Sequence, residues 1–278
     1  GVWYHTAGVE YVHADQHVLI FSPHNEVLFS GNDGGIYKTY DRGETWTDLS
    51  DGLEILQVYR MTQTELDSGM IIAGNQDNGT VMLKSGEWKE ILGGDGMECY
   101  IDYDNVNIIY GTLYRGDIRK SLNAGVSFDT IPPDSSLIGE WITPFVMHPK
   151  YPNILYAGYD KVYKTINGGK SWKALADFQE GNDKLRAIAI APSNDKILYI
   201  ATRSDVFKSL DDGKSWINIT SGLPALYKTE IAVSETNPDK LWLVVSGFEA
   251  GEKVYQSDNG GMSWDNYSSG LPNLPVNK

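Results

Sequence analysis

The sequence predicts an all-β protein, folded as a β-propeller of four-stranded antiparallel blades. Three observations predict this fold. An eight-residue motif recurs, with copies starting at residues 39, 121, 165, 209 and 257, and regular repeats are typical of propellers and solenoids. Between the copies lie short alternating apolar segments bounded by turn residues, which indicate up-and-down strands. No segment keeps a helical apolar period over three turns.

The motif follows the pattern S/T-x-D/N-x-G-x-S/T-W/F. Five segments fit it: "TYDRGETW" (39–46), "SLNAGVSF" (121–128), "TINGGKSW" (165–172), "SLDDGKSW" (209–216) and "SDNGGMSW" (257–264). The first interval is close to twice the others, so a degenerate copy is expected within it. "KSGEWKEI" (84–91) fills that place, since it keeps Trp88 but has lost the acidic residue and has a shorter turn. Six copies predict six recognisable blades in a ring of six or seven.

The blades are expected at about 17–53, 57–95, 96–134, 140–178, 184–224 and 226–271 of a single domain spanning 1–278. The chain ends in "SGLPNLPVNK", whereas the earlier "SGLPALYKTEIAV" leads into an inner strand. We therefore expect either that residues 1–12 complete a seventh blade or that the chain is a fragment of a longer protein, monomeric by itself.

Each motif copy is predicted to fold as a turn of its own. Its Asp or Asn can accept hydrogen bonds from backbone N–H groups two residues on, its glycine can take a positive φ, and its aromatic ring can pack against the blade. Trp88 of the degenerate copy is expected to pack in the same way. An architectural role is predicted for ten residues: Asp41, Trp46, Asn123, Phe128, Asn167, Trp172, Asp211, Trp216, Asn259 and Trp264.

This motif resembles the Asp-box, or bacterial neuraminidase repeat, of sialidases, xyloglucanase-type glycoside hydrolases, sortilin-type receptors and a photosystem assembly factor. The resemblance implies a propeller with the boxes on outer hairpins between the third and fourth strands, away from the central channel. Together with "HADQH", "QDNGT" and "GGDG", the chain also resembles large secreted Bacteroidetes-type proteins. That resemblance implies a secreted or cell-surface location in a bacterium.

Composition excludes several classes of protein. The net charge of −14 argues against a nucleic-acid partner, which needs clustered Lys and Arg. Cys99 is the only cysteine, so an internal disulfide framework and a cysteine-rich metal site are excluded. No apolar run of about 18 residues occurs, and we expect no membrane insertion.

A first candidate site lies in "VHADQH", where His13, Asp15 and His17 alternate. On a strand they would share one face and could hold a divalent metal ion. Calcium would prefer the neighbouring carboxylates to the histidines. A hydrogen-bonded polar lining of the channel is the alternative interpretation.

A second candidate site combines "GNDGG" (31–35) with "GNQDNG" (74–79), which occupy the same corner of adjacent blades. Asn32, Asp33, Asn75, Gln76 and Asp77 are predicted to lie near one another and to bind sugar hydroxyls. A tight polar turn is the alternative.

Asp95 and Glu98 in "GGDGMECY" form a third candidate. A carboxylate pair can cleave a glycosidic bond when its separation is suitable, although acidic turn residues are common in so negative a chain.

Two functions remain open. The favoured one is a non-catalytic binding or scaffold module for a protein or polysaccharide, with no certain cofactor. The alternative is a glycoside hydrolase: "NDGGIY" resembles a xyloglucanase-type segment, and the resemblance implies Asp33 as catalytic base. In that family the acid comes from a second propeller that faces the first, so Asp95 or Asp77 would have to take its place in this chain. Sialidases need three converging arginines, whereas the candidates here are scattered in sequence: Arg60, Arg115, Arg119, Arg186 and Arg203.

Overall fold

The structure is a computed structural model that describes residues 12–53, 55–178 and 183–277. These residues form six sheets, each of four consecutive antiparallel strands, so the prediction of four-stranded blades in a β-propeller is confirmed. The regular elements of the described residues are strands, apart from one short 3-10 turn at Tyr114–Gly116. The seventh blade expected from residues 1–12 falls, except for residue 12, outside the described part of the chain.

The first three sheets follow in chain order and are named blades 1 to 3. Blade 1 contains β1 (Gln16–Phe21), β2 (Leu28–Asn32), β3 (Gly35–Thr39) and β4 (Thr47–Asp48). Blade 2 contains β5 (Gln57–Thr64), β6 (Asp67–Gln76), β7 (Thr80–Lys84) and β8 (Glu87–Leu92). Blade 3 contains β9 (Gly96–Ile101), β10 (Ile109–Leu113), β11 (Asp117–Ser121) and β12 (Asp129–Thr130).

Blades 4 to 6 repeat the arrangement. Blade 4 contains β13 (Phe145–Met147), β14 (Leu155–Gly158), β15 (Val162–Thr165) and β16 (Lys173–Ala174). Blade 5 contains β17 (Ala187–Ile190), β18 (Leu198–Ala201), β19 (Val206–Ser209) and β20 (Ile217–Asn218). Blade 6 contains β21 (Tyr227–Val233), β22 (Leu241–Ser246), β23 (Val254–Ser257) and β24 (Asp265–Asn266).

Strand direction separates the molecule into two ends. Contacts between neighbouring blades run chiefly through first strands, as in β5 with β9 and β17 with β21, so the first strand of each blade is the innermost. The strands of a blade alternate in direction. In every blade, therefore, the start of the first strand and the turn between the second and third strands lie at the same end of the molecule, here named the rim. The turn between the third and fourth strands lies at the opposite end, and the motif copies occupy these turns.

The motif at 209–216 shows how the turn folds. The Ser209 hydroxyl donates to Asp211 Oδ1 (2.9 Å) and accepts the Gly213 N–H (2.8 Å). Asp211 Oδ1 in turn accepts the Ser215 N–H (2.9 Å). Asp212 and Gly213 are consecutive left-handed residues, with φ of 61° and 75°, a conformation that glycine adopts without steric cost.

The other four full copies carry the same network of hydroxyl, Asp or Asn side chain and glycine N–H. The backbone donor to the Asp or Asn lies four residues on in all five copies, and not two residues on as predicted. The network therefore spans the whole turn, which explains why the Ser or Thr on either side is needed.

Three of the motif tryptophans join adjacent blades. The Nε1–H groups of Trp172, Trp216 and Trp264 donate to carbonyl oxygens just after the fourth strand of the preceding blade, at Ile131 (2.8 Å), Ala176 (3.0 Å) and Ile219 (2.9 Å). These rings also pack on three of the four buried apolar clusters, and Phe128 packs on the fourth. Each cluster draws residues from two neighbouring blades, so the core lies between blades 2 and 3, 3 and 4, 4 and 5, and 5 and 6.

Blade 1 is joined differently because the copy in blade 2 is degenerate. Lys84 pairs with Glu87 across a two-residue turn at Ser85 and Gly86, both of which have positive φ. Trp88 is 56% exposed, so the expectation that it packs like the other motif aromatics is wrong. The shortened hairpin does not carry its ring back to blade 1, where Leu49 occupies the position of Ile131 and stays 37% exposed.

Candidate functional site

The rim between blades 1 and 2 gathers most of the polar side chains that the sequence singled out. Asp33 lies in the turn between β2 and β3, Asp77 in the turn between β6 and β7, and Asp95 immediately before β9. The Asp77 N–H donates to Asp95 Oδ1 (2.9 Å). Burial, reinforced by the neighbouring carboxylates of Asp95 and Asp33, raises the pKa of Asp77. These three residues are named the acidic cluster.

The histidine-containing segment lies against this cluster. The His13 ring is buried, with Nδ1 accepting the Asp15 N–H (3.0 Å) and Nε2 lying 3.2 Å from the Asp77 carbonyl oxygen. His17 instead pairs through Nε2 with the Asp33 carboxylate and is two-thirds exposed. Strand β1 begins only at Gln16, so the predicted strand face shared by all three residues does not form.

The group of side chains that could hold a metal ion therefore differs from the predicted one. Ligand atoms of His13, Asp15 and Asp77 lie within 4.8 Å of one another, and Asp77 takes the place assigned to His17. One imidazole and two carboxylates would suit a divalent cation. A metal on His13 Nε2 would have to replace the contact with the Asp77 carbonyl.

Two of the side-chain amides that were predicted to bind a ligand instead form hydrogen bonds with the backbone of their own turns. Asn32 Oδ1 accepts the Gly34 N–H (2.9 Å). Asn75 is fully buried and donates to the carbonyls of Ala73 and Gly79, each at 3.1 Å. The alternative interpretation, a tight polar turn, describes these two side chains.

Glu98 does not face Asp95. It lies inside β9, where its carboxylate accepts from Arg60 Nε at 2.6 Å. Arg60 also lies 3.6 Å from the Glu230 carboxylate of the innermost strand of blade 6. Because Asp95 and Glu98 are three positions apart at the start of a strand, their side chains point to opposite faces. Glu98 therefore belongs to an ion-pair network that joins the innermost strands β5, β9 and β21.

A cavity of about 470 Å³ opens at the same rim, among the starts of the innermost strands. It is named the aromatic cavity and is lined by Gln57, Val58, Tyr59, Arg60, Glu140, Trp141, Ile142, Arg186, Thr229 and Asn277. Gln76 connects it to the acidic cluster, since its Oε1 accepts the Tyr59 hydroxyl, which itself accepts the Trp141 Nε1–H (3.2 Å).

Sequence reasoning missed this cavity and misjudged its arginines. Arg60 and Arg186 line it together, and Glu140 lies 3.8 Å from Arg186 and 3.6 Å from Arg203. Two of the five arginines described as scattered thus line the same cavity, and a third, Arg203, lies beside its lining residue Glu140. The sequence feature that could have indicated the cavity is Trp141, because this tryptophan lies outside every motif copy.

The repeated turns, the blades and the tryptophan contacts together define the chain as an Asp-box β-propeller. Residues 160–274, less than half of the chain, match the family model described as "Sortilin, neurotensin receptor 3". No curated protein matches the chain in sequence. Among the described residues, no helix has the length and apolar character needed to cross a membrane.

Solved structures share the fold at low identity. An ancestral GH74 enzyme is 19% identical with a TM-score of 0.59, over 87% of this chain and 36% of that one. The extracellular domain of the putative hybrid two component system BT4673 from B. thetaiotaomicron is 16% identical with a TM-score of 0.55, over 86% and 32%. YCF48 bound to D1 peptide is 16% identical with a TM-score of 0.51, over 76% and 66%. The chain thus spans about a third of the first two proteins.

Proposed function

We propose that the chain is a non-catalytic binding module that presents its rim to a glycan or protein ligand at the cell surface or outside the cell. The observation that carries this proposal is that the two ends of the propeller carry different kinds of side chain. The Asp-box residues of the far end are engaged in turn hydrogen bonds and contacts between blades. The rim gathers aromatic, amide and charged side chains that do not repeat around the ring.

The fold comparisons are compatible with this proposal. Related folds occur in an extracellular domain and in a protein bound to a peptide, and repeated architecture commonly carries its function on loops at one face. The bacterial, Bacteroidetes-type origin implied by the sequence resemblance belongs to the same proposal.

One observation favours the hydrolase alternative. Burial and the carboxylates of Asp95 and Asp33 raise the pKa of Asp77, which shares the acidic cluster with Asp33, and glycoside hydrolases use two carboxyl groups, one of them with a raised pKa, as general acid and base. In that function Asp33 would be the base and Asp77 or Asp95 the acid.

Incubation with neutral polysaccharides separates the two functions. We expect the purified chain to be retarded in gels containing a recognised polysaccharide while no reducing ends are released over hours. Release of reducing ends that is lost in Asp33→Asn would contradict the binding-module proposal and support hydrolysis. Asp265→Asn, a substitution of an exposed residue on β24 directly after the far-end turn at 257–264, is the matched control and should leave either behaviour unchanged.

A further inference from the structure

The aromatic cavity has an exposed aromatic ledge at its mouth. The rings of Tyr114 and Trp141 stack with centroids 5.3 Å apart and an interplanar angle of 16°. Both side chains remain about two-fifths exposed, at 40% and 41%. Large aromatic rings are normally placed in cores or interfaces, where their apolar area is covered. A stacked and exposed pair beside a cavity therefore indicates a surface that a flat ligand covers.

The ledge is held in place before any ligand arrives. The Trp141 Nε1–H donates to the Tyr59 hydroxyl, which donates to Gln76 Oε1. The Trp141 carbonyl accepts the Arg115 N–H (3.1 Å), which fixes the backbone of this loop. An indole oriented by such contacts loses little rotamer freedom on binding, and preorganisation of this kind raises affinity.

The floor of the cavity is polar and balanced in charge. Arg186 lies 3.8 Å from Glu140, beyond direct hydrogen-bond distance, so both groups keep capacity for a ligand that inserts between them. Gln57 and Asn277 add exposed amides. Arg60, the other arginine of the lining, already faces Glu98 and Glu230.

These features select a class of ligand. Because the lining arginines are matched by glutamates and the whole chain carries −14, an anionic ligand gains no net attraction from the protein field. A neutral ligand with one flat apolar face and many hydroxyl groups fits both parts of the cavity. A volume of about 470 Å³ falls in the usual range of about 300–1,000 Å³ for small-ligand sites.

We propose, on the basis of the binding function above, that the aromatic cavity binds a neutral oligosaccharide. One pyranose ring stacks on the exposed area of Trp141, and the hydroxyl groups of that ring and its neighbour bridge Arg186, Glu140 and Gln57. The amphipathic shape of a pyranose, with C–H groups on one face and hydroxyls at its edge, matches an aromatic ledge above a polar floor.

Titration calorimetry with a defined panel tests the site. The probes are the neutral hexaoses of cellulose, mannan and laminarin, together with one anionic sugar, sialyllactose. We expect at least one neutral hexaose to bind. Trp141→Ala should then weaken binding by about tenfold or more, the loss typical of removing a central aromatic anchor. Trp141→Phe, which keeps a ring but loses the bond to Tyr59, should bind with intermediate affinity.

Trp88→Ala is the matched control, because Trp88 is also exposed but lies on the degenerate hairpin of blade 2 at the far end. It should bind like the wild type, and all variants should be compared at equal fractions folded by circular dichroism. Wild-type affinity in Trp141→Ala would overturn the site while leaving the binding-module proposal intact. Binding of sialyllactose alone, or of no sugar in the panel, would overturn the assignment to a neutral oligosaccharide. Reducing-end release is the separate result that contradicts the non-catalytic function.

Discussion

Replacement of Trp216 tests whether the Asp-box tryptophans join the blades. The indole donates to the Ala176 carbonyl at 3.0 Å, meets Phe178 edge to face at 6.4 Å and packs on the cluster between blades 4 and 5. Complete truncation of a buried tryptophan costs about 3–5 kcal/mol. Trp216 is only partly buried, so we expect Trp216→Ala to lower the free energy of unfolding by about 3 kcal/mol.

Two further variants divide this loss into its parts. Trp216→Phe keeps most of the apolar packing but removes the hydrogen bond, so about 1 kcal/mol should be lost. Trp88→Ala removes an equally large side chain that is 56% exposed, and a change within about 0.5 kcal/mol is expected. Urea unfolding followed by circular dichroism gives all three values. If Trp216→Ala were no more destabilising than Trp88→Ala, the tryptophan would not join blades 4 and 5.

Three further predictions concern the boxes and the rim. Hydrogen bonds within the box lower the pKa of Asp41 and of Asp211 to about 2; a lowered folded-state pKa gives stability that is present above the unfolded value near 3.8 and lost as the pH falls toward 2. The melting temperature should therefore fall less between pH 4 and pH 2 in the double variant Asp41→Asn, Asp211→Asn than in the wild type. An equal fall in both proteins would contradict the stabilising role of these two carboxylates. Gly213→Ala should cost about 2 kcal/mol in urea unfolding, because its Cβ would lie 2.4 Å from a leucine side chain of blade 4, whereas Gly52→Ala, with similar φ but open space, should cost about 1 kcal/mol. If the rim holds a metal ion, calcium or zinc added to chelated protein should raise the melting temperature, and Asp77→Asn should abolish the rise; no rise in the wild type would remove the metal.

The blades could be predicted because each Asp-box is locally complete. The hydrogen bonds that the Ser209 hydroxyl and the Asp211 carboxylate make within the turn at 209–216 join residues at most four apart in sequence, so the motif predicts its own conformation. The acidic cluster could also be predicted from the sequence, because Asp33 and Asp77 occupy equivalent corners of adjacent blades. Such equivalence follows from the repeat alone.

The aromatic cavity could not be predicted in the same way. Trp141 and Tyr59 are 82 positions apart and belong to blades 4 and 2, and no local pattern brings them together. Their contact depends on how the starts of the innermost strands converge at the rim. The prediction that Trp88 packs like the other motif aromatics failed for a local reason. The degenerate hairpin keeps the tryptophan of the motif but has lost the turn geometry that directs the ring to the preceding blade.

Hydrogen exchange with and without the tightest-binding ligand tests most directly whether the rim is the recognition surface. Peptides covering 57–60, 76–77 and 140–142 should gain protection on binding. Peptides covering the Asp-box turns at 165–172 and 209–216 should exchange at unchanged rates. Protection confined to the Asp-box turns, with the rim unaffected, would contradict the account.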